Sequence, residues 1–209
     1  MAGRGEGIWW APRRGGWWIG VLFAIGSTCF FVGPFPGFVE LVGSAVDAMV
    51  FFVGSIFFTS AAALQLLQST RAGWFSTDWW ASAIQFVGTL YFNVDTFRAL
   101  QQGLDATEYD RLVWTPDTIG SACFLVSGFL AYGLVRGRGR TLDWKIGAVN
   151  LVGCIAFGIS ALAAFWVPTN GSIVHLAAAN FFTAFGGLCF LVGAVLLLPL
   201  SARQASSAR

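Results

Sequence analysis

The chain has 209 residues, of which 56% are apolar, 16% aromatic and only 11% charged, with a formal net charge of +2. A soluble domain carries about a quarter charged residues, so most of this chain cannot face water. So small a net charge argues against a basic surface for nucleic acid. Four cysteines, Cys29, Cys123, Cys154 and Cys189, lie in apolar runs without any C-x-x-C spacing, which argues against a disulfide framework or a zinc site.

The basic start (Arg4, Arg13, Arg14) and the apolar run after it resemble a signal peptide. The run is longer than a signal core, however, and Gly33-Pro34-Phe35-Pro36-Gly37 is a poor cleavage site, so it reads as a first transmembrane helix. A bilayer core needs about 20 apolar residues per helix. Six stretches qualify, at about 17–34, 44–67, 79–100, 114–135, 145–167 and 173–198, between tails at 1–16 and 199–209. Gly33–Gly37 breaks the chain after the first stretch, Pro116 is expected in the first turn of the fourth, and Pro168-Thr169-Asn170-Gly171 is expected to make a tight turn between the last two. Helices satisfy every backbone group within one segment, and the alternating ten-residue strands of a barrel are absent. The expected fold is an all-α, polytopic bundle of six transmembrane helices.

Orientation follows from Lys and Arg. One side holds Arg4, Arg13, Arg14, Arg71, Arg136, Arg138, Arg140, Lys145, Arg203 and Arg209, and the other only Arg98 and Arg111. The positive-inside rule puts the first side, with both termini, in the cytoplasm. Trp17, Trp18, Trp74, Trp79, Trp80 and Trp144 then fall at the inner surface, and Trp114 and Trp166 at the outer one, as expected of interfacial indoles.

Each stretch carries Gly, a small residue, two variable residues and Phe: Gly26/Phe30, Gly54/Phe58, Gly88/Phe92, Gly120/Phe124, Gly153/Phe157 and Gly186/Phe190. One match per stretch at nearly constant spacing reads as an internal repeat. Gly and Phe at i and i+4 share one helix face, where the glycine admits a neighbouring helix and the ring fills the space beside it. The motif reads the same way along antiparallel helices, which suits packing near the midplane. The first and fourth stretches share Ile-Gly-Ser-x-Cys-Phe-x-Val, suggesting 3+3 duplication. The second and third share Phe-Val-Gly, which suits neither 3+3 nor three hairpins, so the order stays open.

Val-Gly-Ser-Ile-Phe-Phe (53–58) and Val-Gly-Thr-Leu-Tyr-Phe (87–92) resemble the paired helices of YrhK-type bacterial membrane proteins, a two-helix family of unknown function. The resemblance covers about a third of the chain and implies a protein of the bacterial cytoplasmic membrane. It assigns no site, and this chain departs from it in having six stretches.

Charge inside a membrane helix is costly and points to function. Asp47, Asn93, Asp95, Arg98, Asp117 and His175 all fall near the outer ends of their stretches. Structural roles are open to them: Asp95 and Arg98 are spaced to pair, and Asp47 and Asp117 suit helix N-termini. The functional alternative is an outward-facing ion or proton site made by Asp47, Asp95 and Asp117, with His175 as a titratable neighbour. Deeper polar residues, Gln65, Gln85, Asn150 and Asn180, suit interhelical hydrogen bonds.

No HExxH, Walker A or GxSxG pattern occurs, a single histidine argues against multi-histidine metal or haem sites, and no cofactor is expected. The partners expected are the lipid bilayer, a second copy or another membrane protein, and no nucleic acid. Two functions fit: a small carrier or channel for an ion or small solute, and a non-catalytic assembly module docking through its Gly-Phe faces.

Overall fold

A computed structural model describes residues 9–101, 103–167 and 172–206, with side chains through Arg203. The expected turn at 168–171 lies outside them. The helices are α1 (Gly15–Val32), α2 (Pro36–Val42), α3 (Ser44–Ser69), α4 (Thr77–Ala99), α5 (Ala106–Tyr109), α6 (Thr115–Val135), α7 (Leu142–Ala163) and α8 (Leu176–Ser206). A 3-10 turn, Thr70–Ala72, follows α3, and a π-helical turn, Asp110–Trp114, joins α5 to α6. Two short antiparallel strands, β1 (Trp166–Val167) and β2 (Ser172–Ile173), pair between α7 and α8.

Local sequence sets most of these ends. The side chains of Ser76 and Thr141 accept from the backbone N–H groups of Trp79 and Trp144 at 3.2 and 3.3 Å, capping α4 and α7. Asp105 and Glu108 form a capping box at the start of α5. Gly43, at φ +82°, separates α2 from α3 in a conformation that favours glycine.

Several expected boundaries differ. The Gly-Pro-Phe-Pro-Gly break leads into helix α2 rather than into a plain loop, because Pro36 opens that helix at a position where no N–H is needed. Pro116 stands in the first turn of α6, as expected, but the helical path before it runs on without a break from Ala106. A proline ring clashes with the carbonyl four residues back and leaves it without a donor. Here the wider π turn precedes it, and Thr115 supplies both its N–H and its hydroxyl, the latter at 2.7 Å, to the carbonyl of Asp110, a different group from the Leu112 carbonyl four residues before the proline. Asp117 lies in the first turn of α6, as expected, with the π turn continuing the helical path ahead of it. The last helix also continues past Pro199 to Ser206 instead of ending at 198.

The described residues are all-α apart from the small hairpin. Among the described residues five helical paths are long and apolar enough to cross a membrane: Gly15–Val32, Ser44–Ala72, Ala106–Val135, Leu142–Ala163 and Leu176–Arg203. Helix α4, at 23 residues, is long enough but less apolar, because it carries Asp78, Gln85, Asn93, Asp95 and Arg98. The outward surface is inside-out for a water-soluble protein: Leu67, Phe97, Phe129, Leu162 and Phe181 are each more than half exposed. Such helices, apolar all round, are those of a membrane-embedded bundle.

The long helices close a ring in chain order: α1 packs on α3, α3 on α4, α4 on α6, α6 on α7, α7 on α8, and α8 back on α1. Ala11, Trp17 and Ala202 form one buried cluster, so the first and last described segments meet at the same end of the ring.

Candidate functional site

The Gly-Phe motifs meet one another in pairs. A Cβ built on Gly26 would lie 2.9 Å from the carbonyl oxygen of Gly54, and one built on Gly54 would lie 3.3 Å from that of Gly26. The corresponding distances are both 3.1 Å for Gly88 and Gly120, and 3.2 and 3.1 Å for Gly153 and Gly186. Each crossing therefore has backbone against backbone, with no room for a side chain. Cys29, Cys123 and Cys189 cover Gly54, Gly88 and Gly153 in equivalent fashion, and the cysteines are free thiols.

Chain direction sorts the phenyl rings into two tiers. Taking the end where Trp17 meets Ala202 as the inner end, as a label only, the chain in α1, α4 and α7 runs away from it, so Phe lies beyond Gly. In α3, α6 and α8 it runs back, so Phe lies on the near side. Phe30, Phe92 and Phe157 accordingly form an outer triangle with centroid separations of 6.4, 5.8 and 6.0 Å. Phe58, Phe124 and Phe190 form an inner triangle at 6.3, 5.9 and 5.8 Å. Edge-to-face pairs link the tiers: Phe30–Phe58 at 5.4 Å, Phe92–Phe124 at 4.9 Å and Phe157–Phe190 at 5.3 Å, within the favoured range for aromatic contacts. All six rings are buried. Together they make a septum across the middle of the ring.

A cavity lies on each side of this septum, and each is lined by all six long helices among the described residues. The inner cavity, about 630 Å³, has Phe124 and Phe190 at one end and Asp78, Arg138 and Asp143 at the other, with Gln65, Gln85 and Asn150 between. Gln65 Nε2 donates to Gln85 Oε1 at 3.2 Å, the interhelical bond expected of deep amides. Asn150 packs its amide onto Gly193, and its oxygen is buried without a partner.

The outer cavity, about 310 Å³, has the outer phenyl triangle for a floor. Asp47 from α3, Asp95 from α4 and Asp117 from α6 all line it, with Ser160, Asn180 and Thr183 from α7 and α8 opposite. The three carboxylates singled out in the sequence thus share one space. The fourth residue does not join them: His175 is exposed, lies one residue before α8, and accepts from the Ala178 N–H through Nδ1 at 3.1 Å. That is a helix-capping role. The expected Asp95–Arg98 ion pair is also absent among the described residues. Asp95 is only 6% exposed and turns into the bundle, where it lines the same cavity as Asp117 of the neighbouring α6. Asn93 is drawn aside by the Thr59 hydroxyl at 3.1 Å.

Sequence reasoning missed the cover of this cavity. Tyr109, Val113 and Trp114 line it from the π-turn region, and Ile173 lines it from β2. Trp114 Nε1 donates to the carbonyl of Ala161 at 2.8 Å, and the Trp166 N–H donates to Asp110 Oδ1 at 3.1 Å, tying cover to ring. The available signal was Pro116: a chain that stays helical on both sides of a proline needs a local irregularity ahead of it. Ser160 donates to the Ala179 carbonyl at 2.8 Å and lies 2.6 Å from the Thr183 hydroxyl, which fixes the opposite wall. No grouping of three or more His, Cys, Asp or Glu among the described residues is compact enough to hold a metal ion.

No known protein family, curated protein or solved structure matches the chain.

Proposed function

We propose that the chain is a six-span carrier or channel whose solute path runs along the axis of the helix ring and is closed at the phenylalanine septum. The observation that carries this reading is the coaxial arrangement: two cavities, each lined by all six long helices, separated by six phenyl rings. In this reading α4 is the sixth span. Its polar residues turn inward, as Asp95 and Gln85 do, and the lipid meets Val87, Leu90, Val94 and Phe97. The cluster of Arg136, Arg138, Arg140 and Lys145 at the end shared with Arg13, Arg14 and Arg203 supports a cytoplasmic location for that end, and a bacterial cytoplasmic membrane suits the likeness to YrhK-type proteins.

The paired Gly crossings support an ancestry in three helical hairpins: α1 with α3, α4 with α6, and α7 with α8. The same crossings weigh against an assembly module docking through Gly-Phe faces, because those faces are occupied within the ring. A second copy or a membrane partner would dock on the lipid-facing side chains instead.

Reconstituted vesicles test the path. Wild-type protein is expected to pass a small solute slowly, and Phe124→Ala, which removes a ring of the inner tier, is expected to raise the leak of small solutes at least tenfold. Equal permeability of empty, wild-type and Phe124→Ala vesicles would overturn the reading.

A further inference from the structure

We propose that the outer cavity is a binding site for a small organic cation of the alkylammonium class, held between the carboxylates of Asp47, Asp95 and Asp117 and the phenyl floor. This rests on the reading of that cavity as the outer mouth of the path.

The charge of the ligand follows from what lines the space. Three Asp carboxyl groups from three helices face it, and among the described residues no Lys, Arg or His side chain lines it. Asp95 is more than nine-tenths buried; the Thr96 backbone N–H reaches its carboxyl group, but among the described residues no ion pair and no side-chain hydrogen bond does. One buried oxygen of Asp47 has no hydrogen-bond partner. A carboxyl group buried away from any cation ionises only at a cost of several kcal/mol, as an order of magnitude, and otherwise stays neutral; a cationic ligand is the group that lets it ionise there.

The kind of cation follows from size and floor. An inorganic ion such as Ca²⁺ needs about six to eight oxygens at roughly 2.3–2.6 Å, and the acids here are not grouped closely enough to supply such a cage. A space of about 310 Å³ is instead that of a small-molecule site. Its chemistry alternates along the helices. Asp47 and Phe51 are four residues apart on α3, and Asp95 and Phe92 three apart on α4, so a carboxylate and a phenyl ring lie one turn apart on two adjacent helix faces that line the cavity. Phe30 and Phe157 complete the floor. A positive charge carried on a small apolar body fits this pairing: carboxylates draw the charge, and aromatic rings accept the alkyl groups and the diffuse charge on them.

Equilibrium binding of radiolabelled tetramethylammonium to the purified full-length protein in detergent tests the site, at constant ionic strength. Saturable binding is expected, with equimolar Na⁺ or Ca²⁺ displacing little of it. Asp95→Asn is expected to weaken it at least tenfold while the protein keeps its elution volume and helical content, and Phe92→Leu to weaken it about threefold. No saturable binding to the wild type, full displacement by equimolar Na⁺, or unchanged affinity in Asp95→Asn would each overturn the proposal. The outcome is separable from the path itself. A leak in Phe124→Ala vesicles without tetramethylammonium binding removes the ligand and leaves the path. Binding without any leak leaves the site and removes the path.

Discussion

The middle of the ring and its outer end are built on opposite rules. In the middle the same contact is made three times: glycine against glycine at each hairpin crossing, and an edge-to-face phenyl pair beside it. At the outer end nothing repeats. Helices α3, α4 and α6 present carboxylates, whereas α7 and α8 present Ser160, Asn180 and Thr183. Shared packing makes the ring close; the specific chemistry sits where the threefold pattern is broken. The middle should therefore be intolerant of change in stability, and the outer end should be tolerant in stability and sensitive in binding.

The sharpest test of that contrast is Phe124→Ala. This ring is 1% exposed and touches Phe58, Phe92, Phe157 and Phe190, and its loss is expected to destabilise the protein by about 3–5 kcal/mol, read by thermal unfolding in detergent. A stability within 1 kcal/mol of wild type, by the same order-of-magnitude scale, would show that the septum is not a packed core. Gly187→Ala comes next. A methyl there meets the backbone of Phe30 and Phe31 at 2.7–3.0 Å, which a flexible side chain cannot relieve, so α1 and α8 must part at a cost of about 1–3 kcal/mol. Parent-like stability would mean that the first and last long helices are not pressed together.

Thr115→Val removes the hydroxyl that serves the Asp110 carbonyl beside the π turn. A loss of about 1 kcal/mol is expected, together with faster amide exchange around residues 110–114. Unchanged exchange there would show that the turn does not depend on that hydroxyl. Smallest of all, Asp95→Asn is expected to leave the melting temperature unchanged or slightly raised, because it replaces a buried carboxyl group that has no cationic partner with a neutral amide of the same shape. A large fall would mean that Asp95 serves structure, and the contrast between middle and end would fail.

The sequence made the middle legible because its signal is local. Gly and Phe four residues apart share a helix face whatever the neighbours do, so the packing role of Gly26/Phe30 and its counterparts could be read before any fold was known. The two tiers follow only once alternate chain direction is combined with ring closure. The meeting of Asp47, Asp95 and Asp117 was legible as a tendency towards one end of the molecule, but their common cavity depends on α3, α4 and α6 being consecutive in the ring, which no spacing encodes. His175 misled for a simple reason: one residue before a helix, its ring turns back to cap the backbone. Helix α2 and the β1–β2 hairpin were hidden because their short segments lack hydrophobic periodicity.

The π turn has a consequence for what α6 can show to the cavity. In a regular helix a step of four residues overshoots a full turn by about 40°, so Tyr109, Val113 and Asp117 would spiral around the helix by about 80° in all. A wider turn between Asp110 and Trp114 uses up one more residue and takes back part of that drift. The three side chains then line the same space. Removing one residue from this turn would leave the helix intact and rotate the cover away from the carboxylates beneath it.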